Sequence, residues 1–600
     1  MNMDEKVGNK RFTVYDSEAD TVLELINEIG SLTNDVCDSL DNKTDLYGDH
    51  KGSWQGLSKP TLSDEGMRAT VEKLTSDVSI LEKNFYNRYF LNDIDDLQSI
   101  IDNMEDGDTL DCTGVYDVSS PIYINKNITL ENGIFRYKAN NVLRFLNISS
   151  PCTIKNVCID GNINNQSGVK HYLFDLINID HTKNVIIENC KLVNGFGGGI
   201  NIYGSSDCII KNNIIENMYD NGILIAEKGA DRNIIIGNNI KTTHVQNCIF
   251  VTASSDSSAT NNYIYDNQII NNICRDAGDT AIESGINTVN TLIKGNNIDV
   301  KNHPGILLRD CKGFIVSTNT VKQLSSGSGD SISVVPHHEG GSFECNGSIE
   351  NNYIFGDVIR SHIGVYQCNV NIKNNKLIYD NSLISSDGSN LKATGILTDG
   401  GSNLIIENNL INNFENGIYV NYGDGTPTIN NLIIKNNRID MSKNAINLWN
   451  SSIQNGDISN NIISNCYDNM IKDGNGLKTT RINSNTYYSN KNVRYTHKDV
   501  PDNTYIDRKF IKNTALPNGQ YSITDLINIG GIKGKCSLSC DNGYYALFNL
   551  KSTTINFLEG EGIGVSDSDN FKIIVVDGVL QIQSRINNST NIKATFIYED

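Results

Sequence analysis

Short apolar segments recur along most of this chain at a spacing that fits stacked strands. Asn-rich pairs followed by Ile or a similar residue appear as IENCKL (187–192), IKNNII (210–215), IGNNI (236–240), YDNQII (265–270), IKGNNI (293–298) and VSTNTV (316–321). They continue as IENNYI (349–354), IKNNKL (372–377), IENNLI (406–411), IKNNRI (434–439) and ISNNII (458–463). Counting on Asn189, Asn212, Asn238, Asn267, Asn296, Thr318, Asn351, Asn374, Asn408, Asn436 and Asn460, the intervals run from 22 to 34 residues. A unit of this size is one rung of a parallel β-helix, and the longer units carry loops. After each Asn turn comes a second short strand, such as NGILI (221–225), TAIES (280–284), PGILL (304–308) or NGIYV (416–420). In that register Ile200, Ile223, Ile249, Ile282, Ile306, Ile332, Ile363, Ile396, Ile418 and Ile446 form one interior column. Their period-two neighbours point in and out alternately. The corner Asn residues should bond to backbone and to each other along the stack.

The pattern spans residues 108–495, with less regular opening rungs in TLDCTG, PIYINKNITLENG and CTIKNVCIDGN. Upstream the period is helical. Val22, Leu25, Ile29, Leu32 and Val36 alternate three and four apart, as do Met67, Val71, Leu74, Val78, Leu81 and Phe85, behind a capping Ser63. Residues 1–95 are therefore read as a helical region that buries its stripes against copies of itself, and 96–107 as a connector. From 503 to 600, segments such as TTINFL, FKIIVV and IKATFIYE alternate between Gly, Asn and Asp turns. They predict a separate β domain of sandwich type. The expected fold class is all-β: a right-handed parallel β-helix between a helical N-terminus and a C-terminal β-sandwich-like domain.

Charge narrows the partners. The chain carries 50 Lys and Arg against 70 Asp and Glu, a formal charge of -20. Such a surface repels phosphate backbones and anionic membranes, so neither nucleic acid nor membrane insertion is expected. The 14 cysteines are scattered, and Cys190, Cys208, Cys248, Cys274 and Cys368 fall in apolar strand segments. They read as small buried thiols rather than a disulfide framework, and Cys536 with Cys540 lacks the other ligands of a zinc site. The N-terminal stretch is polar, without an apolar run of signal-peptide or membrane-span length, so assembly in the cytoplasm is expected.

Candidate chemistry concentrates between 275 and 362, where four of the nine histidines lie (His303, His337, His338 and His362). Three residues before the core Ile, successive rungs carry Asp220, Gln246, Asp279, His303, Gly329 and Arg360, which makes Asp279 and His303 lateral neighbours. Asp279, Glu283 and Asp330 are expected to frame one groove, with carboxylates roughly 5–10 Å apart, the range that glycoside hydrolysis uses. Proximity of carboxylates would also raise one pKa and give a proton donor. His303 is a further acid or base candidate. Arg309, Arg360 and His337 are candidates for holding substrate, and HHE at 337–339 does not match the HExxH zinc motif. Phe250 and Tyr419 take the outward parity and are candidate sugar platforms. Metal ligands are not assigned, and no cofactor is implied unless the substrate is a phosphodiester polymer, for which a divalent cation is the expected addition.

Helical N-terminus, solenoid middle and terminal β domain in this order resemble the tail spikes of bacteriophages. GSWQGLSKPTLSDEGMRATVEKL (52–74) is similar to the segment before the β-helix in neck appendage proteins of short-tailed phages of Gram-positive bacteria. Residues 108–495 resemble the pectate-lyase-like family in the broad sense. The resemblance implies a homotrimer on the virion, joined to tail or neck proteins through its N-terminal region. It also implies a receptor-binding or depolymerase domain acting on wall teichoic acid or capsular polysaccharide. A non-enzymatic adhesin and a polysaccharide lyase are the alternatives. Fold alone does not choose among them.

Overall fold

The computed structural model describes residues 88–488 apart from 141–143, 168–173, 254–261, 325–328, 337–344, 381–390, 422–427, 450–451 and 474–479, and beyond 488 it describes the strands alone. The helical stripes expected at 22–36 and 67–85, and His337 and His338, lie outside the described residues. Arg88–Phe90 pairs in parallel with Thr109–Asp111 in a small compact unit of their own, where Arg88 meets Asp111 at 2.5 Å. The region read as a connector holds the helix Leu97–Asn103, which buries Leu97 and Ile101. No described helix is long and apolar enough to cross a membrane.

The solenoid is a parallel β-helix with three faces. Each full rung contributes one strand to a first face (Ile186–Glu188, Ile209–Lys211, Ile234–Ile236) and, after one corner, a strand to a second (Lys191–Val193, Ile214–Met218, Asn239–Thr243). The third face is a sheet of fifteen strands that starts at Ile122–Ile124. Its register is the predicted one. Ile177, Ile200, Ile223, Ile249, Ile282, Ile306 and Ile332 are successive lateral partners, and each is at most 1% exposed. Burying one such side chain stabilises by roughly 1.5–3 kcal/mol, and the column repeats that gain on every rung.

The residue before this Ile also points inward. Cys248, Ala281 and Ala445 are fully buried beside Ile249, Ile282 and Ile446. At Gly222 an added Cβ would stand 2.6 Å from both the Cys248 carbonyl oxygen and Ile240 Cγ2, so the core wall leaves no room there. This explains the recurring Gly-Ile and Ala-Ile pairs, and it breaks strict in-out alternation at the strand's start.

At the corner between the first two faces, the two residues of the Asn pair have different tasks. The first takes the left-handed conformation, as in Asn189, Asn212, Thr318, Asn351, Asn374, Asn408, Asn436 and Asn460, with φ between 54° and 58°. Asn tolerates that region better than most side chains. The second is buried. Asn213, Asn238, Asn272, Asn296, Asn319, Asn352, Asn375, Asn409, Asn437, Asn461 and Asn485 form a ladder at most 1% exposed. Each donates from Nδ2 to the Oδ1 of the next, for example Asn296 to Asn319 at 2.9 Å and Asn319 to Asn352 at 3.0 Å. Asn319 Nδ2 also donates to the Ile293 carbonyl, and its Oδ1 accepts the Asn296 backbone N–H, both at 2.9 Å. Asn238 and Asn296 thus belong to the buried ladder rather than the left-handed series. Asn267 heads a strand of the first face at a different corner.

The opening rungs are regular in structure. Thr129–Glu131, Thr153–Lys155 and Ile186–Glu188 pair in parallel one after another. Their ladder positions hold Val157 and Cys190 instead of Asn, and Tyr116, Phe135, Tyr137 and Phe145 pack as a ring cluster in that end of the core. The eleven cysteines from Cys112 to Cys466 are free and, except Cys158, buried. The expected C-terminal strands pair largely antiparallel: Lys533–Cys540 lies between Tyr545–Lys551 and Asn591–Tyr598, and Val579–Ser584 lies between Ser522–Asn528 and Phe571–Val576.

The two roles of the Asn pair separate by mutation. Asn319→Ala, which strands the Ile293 carbonyl and the Asn296 N–H in the core, should cost about 2–4 kcal/mol. Asn351→Gly, at an exposed left-handed corner, should stay within about 0.5 kcal/mol of the parent. Denaturation of the two variants, with amide exchange read at the rungs around 293–352, checks both.

Candidate functional site

On the third face, side chains two residues before the core Ile fold back over the next rung. Asn247 Nδ2 donates to Glu283 Oε2 at 3.0 Å, and Asp175 Oδ1 accepts the Gly198 N–H at 3.1 Å. Asp330 likewise reaches the strand Ser361–Tyr366. Because of this fold-over, side chains that leave the helix wall are nevertheless buried. Asp175 and Asp330 are held so, at 4% and 3% exposure, and Glu283, directly after its core Ile and bonded by Asn247, is 5% exposed.

Glu283 lies laterally between Phe250 and Leu307. Burial pushes its carboxyl up from the usual range, while Arg309 and the Asn247 amide pull it down and Asp279 adds to the rise. Arg309 Nη2 is 3.4 Å from Glu283 Oε1 and remains partly open to solvent. On the turn leading into the same strand, Asp279 Oδ1 sits 3.2 Å from His303 Nδ1, both side chains about half exposed. The expected lateral pairing of these two is therefore found. His303 edges a depression lined also by Asp276, Ala277, Gly278, Lys301 and Asn302.

Asp330 has a separate environment. Ser361 donates to its Oδ1, and Tyr366 Oη and Ser333 Oγ donate to its Oδ2 at 2.8 and 3.2 Å. The Arg360 guanidinium lies over the Tyr366 ring, 4.3 Å from its centroid. Burial raises the Asp330 carboxyl, and the three hydroxyls and Arg360 act against the rise. A Cβ at Gly364 would come within 2.3 Å of Asp330 Oδ2, so only glycine leaves that cage open. From Glu283 the cage is two to three rungs away, about 10–14 Å at ~4.8 Å per rung. Asp330 was expected to frame one groove with Asp279 and Glu283 at roughly 5–10 Å; its hydrogen bonds run to the strand Ser361–Tyr366 on the rung after its own. The fold-over carries Asp330 toward the following rung and away from Glu283.

His362, counted with the surface histidines in the sequence, is in the core. It occupies the inward position before Ile363, contacts Ser331 Oγ and the Ile378 carbonyl oxygen at 3.0 and 2.9 Å, and stands edge-on to Phe414. Burial lowers its pKa to about 4. Phe250 and Tyr419 are half-buried in the outward column, as their parity required. Among the described residues no group of three or more His, Cys, Asp or Glu is placed to hold a metal ion.

Sequence reading missed Asp175, Asn178, Asn201 and Asn247. Asn178 and Asn201 share the column of Glu283 but are separated from it by Leu224 and Phe250, and Asn201 Nδ2 donates to Asn178 Oδ1 at 3.2 Å. On those two intervening rungs Asn221 and Asn247 lie two residues before the core Ile, and Asn221 Oδ1 accepts the Asn247 N–H at 3.2 Å. For Asp175 and Asn247 the signal was present as an Asp or Asn two residues before the core Ile, but it reads as a solvated turn unless the fold-over is known. Asp175 is the extreme case. Burial pushes its carboxyl up to about 7, against the pull of Arg144, whose Nη2 is 3.5 Å away.

A folded-state pKa above the unfolded value gives stability that is full below about pH 4 and lost as pH rises through about 7. The urea stability of the parent relative to Asp175→Asn should therefore fall by about 2 kcal/mol between pH 5 and pH 8.5. Parallel denaturation curves of the two proteins at those pH values measure it.

Comparison with known proteins agrees with the architecture. The family described as the right handed beta helix region matches residues 175–377. No curated protein matches the chain in sequence. Among solved structures it is similar to the A-module of a mannuronan C-5 epimerase of Azotobacter vinelandii, at 13% identity and a TM-score of 0.39, covering 53% of this chain and 89% of that one. It is also similar to the catalytic unit of a GH87 alpha-1,3-glucanase of Streptomyces thermodiastaticus, at 12% identity and a TM-score of 0.34, covering 63% of each chain. The Streptococcus pneumoniae surface protein and adhesin PfbA follows at 14% identity and a TM-score of 0.36, covering 63% of this chain and 95% of that one.

Proposed function

We propose that the third face binds an extended bacterial surface glycopolymer, teichoic acid or capsular polysaccharide, and cleaves it with Glu283 as the proton donor. One observation supports this reading above the others: a carboxyl that leaves the helix wall is buried, held by the Asn247 amide and by Arg309, and its pKa is raised by that burial. A proton carried by Glu283 passes to the leaving glycosidic oxygen as its bond to the anomeric carbon breaks. Asp279, on the same rung beside His303, takes the proton of the water that forms the new bond. Phe250 offers a ring face to a sugar, and Arg309 orients Glu283.

Asp330 and Arg360 then act further along the polymer, in binding. If the backbone is a glycerol-phosphate chain, Arg309 and Arg360 hold phosphate, His303 exchanges the proton, and a divalent cation joins the substrate. The likeness of residues 52–74 to spike segments supports a place on a phage virion. There the chain would assemble in the host cytoplasm as a homotrimer and join tail or neck proteins through residues 1–95.

The test is incubation with purified host teichoic acid and capsular polysaccharide, with and without chelator, with products followed by mass spectrometry. Glu283→Gln should lower fragment release by about 10²–10⁴-fold while changing cell binding less than about threefold. Intact polymer from the parent protein, together with unaltered cell binding, would replace the enzyme by a receptor-binding adhesin.

A further inference from the structure

The second face carries a feature unrelated to Glu283. The strand Tyr353–Gly356 points Tyr353 and Phe355 outward, with Ile354 fully buried between them. The two rings stack at 4.8 Å between centroids and 20° between planes, so they form one apolar ridge, and Tyr353 is 37% exposed. The neighbouring rungs place one lysine on each side. Lys322 is the lateral partner of Phe355 and Lys376 that of Tyr353. Lys322 Nζ stands 5.9 Å from the Phe355 centroid and Lys376 Nζ 4.8 Å from that of Tyr353. The chain as a whole carries a net charge of -20. Arg275 on this face is held by Asp299 at 3.3 Å, whereas neither Lys322 nor Lys376 forms an ion pair with a carboxylate among the described residues.

We propose that Tyr353, Phe355, Lys322 and Lys376 form a second glycan-binding surface, selective for an acidic pyranose. The argument is one of matched chemistry. A pyranose presents apolar C–H faces, which pack on aromatic rings. A carboxylate or phosphate substituent on the sugar then meets an ammonium at the ridge's flank, and two ammoniums on rungs either side serve substituents along a polymer. A neutral glycan has no use for the lysines, and a bare anion has none for the rings. A net charge of -20 weighs against a nucleic-acid strand, which carries a charge on every residue. The surface lies on another face from the Glu283 site, so it stands whether or not that site cleaves its polymer.

The experiment is calorimetry and glycan-array binding with the full chain, using oligogalacturonate, phosphomannan, neutral dextran and a dT oligonucleotide. Binding of oligogalacturonate or phosphomannan, weakened at least tenfold by Tyr353→Ala and by Lys322→Gln/Lys376→Gln and falling with added salt, is the expected result. The two acidic arms tell carboxylate from phosphate. Both variants change exposed side chains, and unchanged circular dichroism and fragment release would show that fold and Glu283 site are intact. No binding of either acidic glycan, equal binding of dextran, or preference for the oligonucleotide would overturn the proposal. So would a change in oligomeric mass on light scattering, which would make the ridge a contact between copies.

Discussion

The stacking of buried asparagine amides is the interaction on which the rest of the solenoid depends. A corner inside a β-helix leaves backbone N–H groups and carbonyls where water cannot reach, and an unmet group there costs about 1–3 kcal/mol. One asparagine answers the corner from both ends: its oxygen takes an N–H of the neighbouring rung and its amide nitrogen returns a bond to a carbonyl. Because the same amide also bonds its counterparts above and below, the stack fixes which residue faces which on adjacent rungs. A slip of one residue would break every rung of the ladder. It would also turn the isoleucine columns outward.

That register made much of the fold legible in the sequence. The isoleucine column and the contact of Asp279 with His303 follow from counting residues within each rung, since laterally paired positions in a parallel sheet are about 4.8 Å apart. What counting did not reveal begins where alternation fails. Two successive residues point inward at the start of each strand of the third face, so His362 enters the core although simple parity leaves it outside. Side chains just before that bend swing across to the next rung, and no periodicity encodes a swing. Hence Asn247 meets Glu283, thirty-six residues later, and Asp330 leaves the neighbourhood expected for it. The opening rungs hid their regularity for a different reason. Val157 and Cys190 stand where later rungs have asparagine, and aromatic packing replaces the ladder there.

The third face repeats one electrostatic arrangement three times. Asp175, Glu283 and Asp330 are each buried on the outer wall, and each has an arginine beside it: Arg144, Arg309 and Arg360. For all three, burial outweighs the arginine and the carboxyl titrates above its ordinary range. Paired charges in such positions seldom stabilise a fold, because desolvation offsets the attraction. An outer wall of apolar and hydroxyl side chains would hold the same rungs at lower cost. Retaining three acids at outward positions therefore fits a face that acts on something outside the protein.

Net charge describes the solenoid poorly for the same geometric reason. Lateral stacking turns each sequence position into a stripe along the axis, so charge is sorted by stripe. On the first face, Glu188 is joined to Lys211, and Glu407 lies between Lys373 and Lys435, so acid and base alternate and cancel. On the third face acids sink into the wall, while on the second Asp299 pairs with Arg275, and neither its lateral partner Lys322 nor Lys376 forms an ion pair with a carboxylate among the described residues. A value of -20 spread over the chain thus coexists with a locally cationic, aromatic stripe. What an approaching polymer meets within a Debye length of about 8–10 Å is the stripe it lies on.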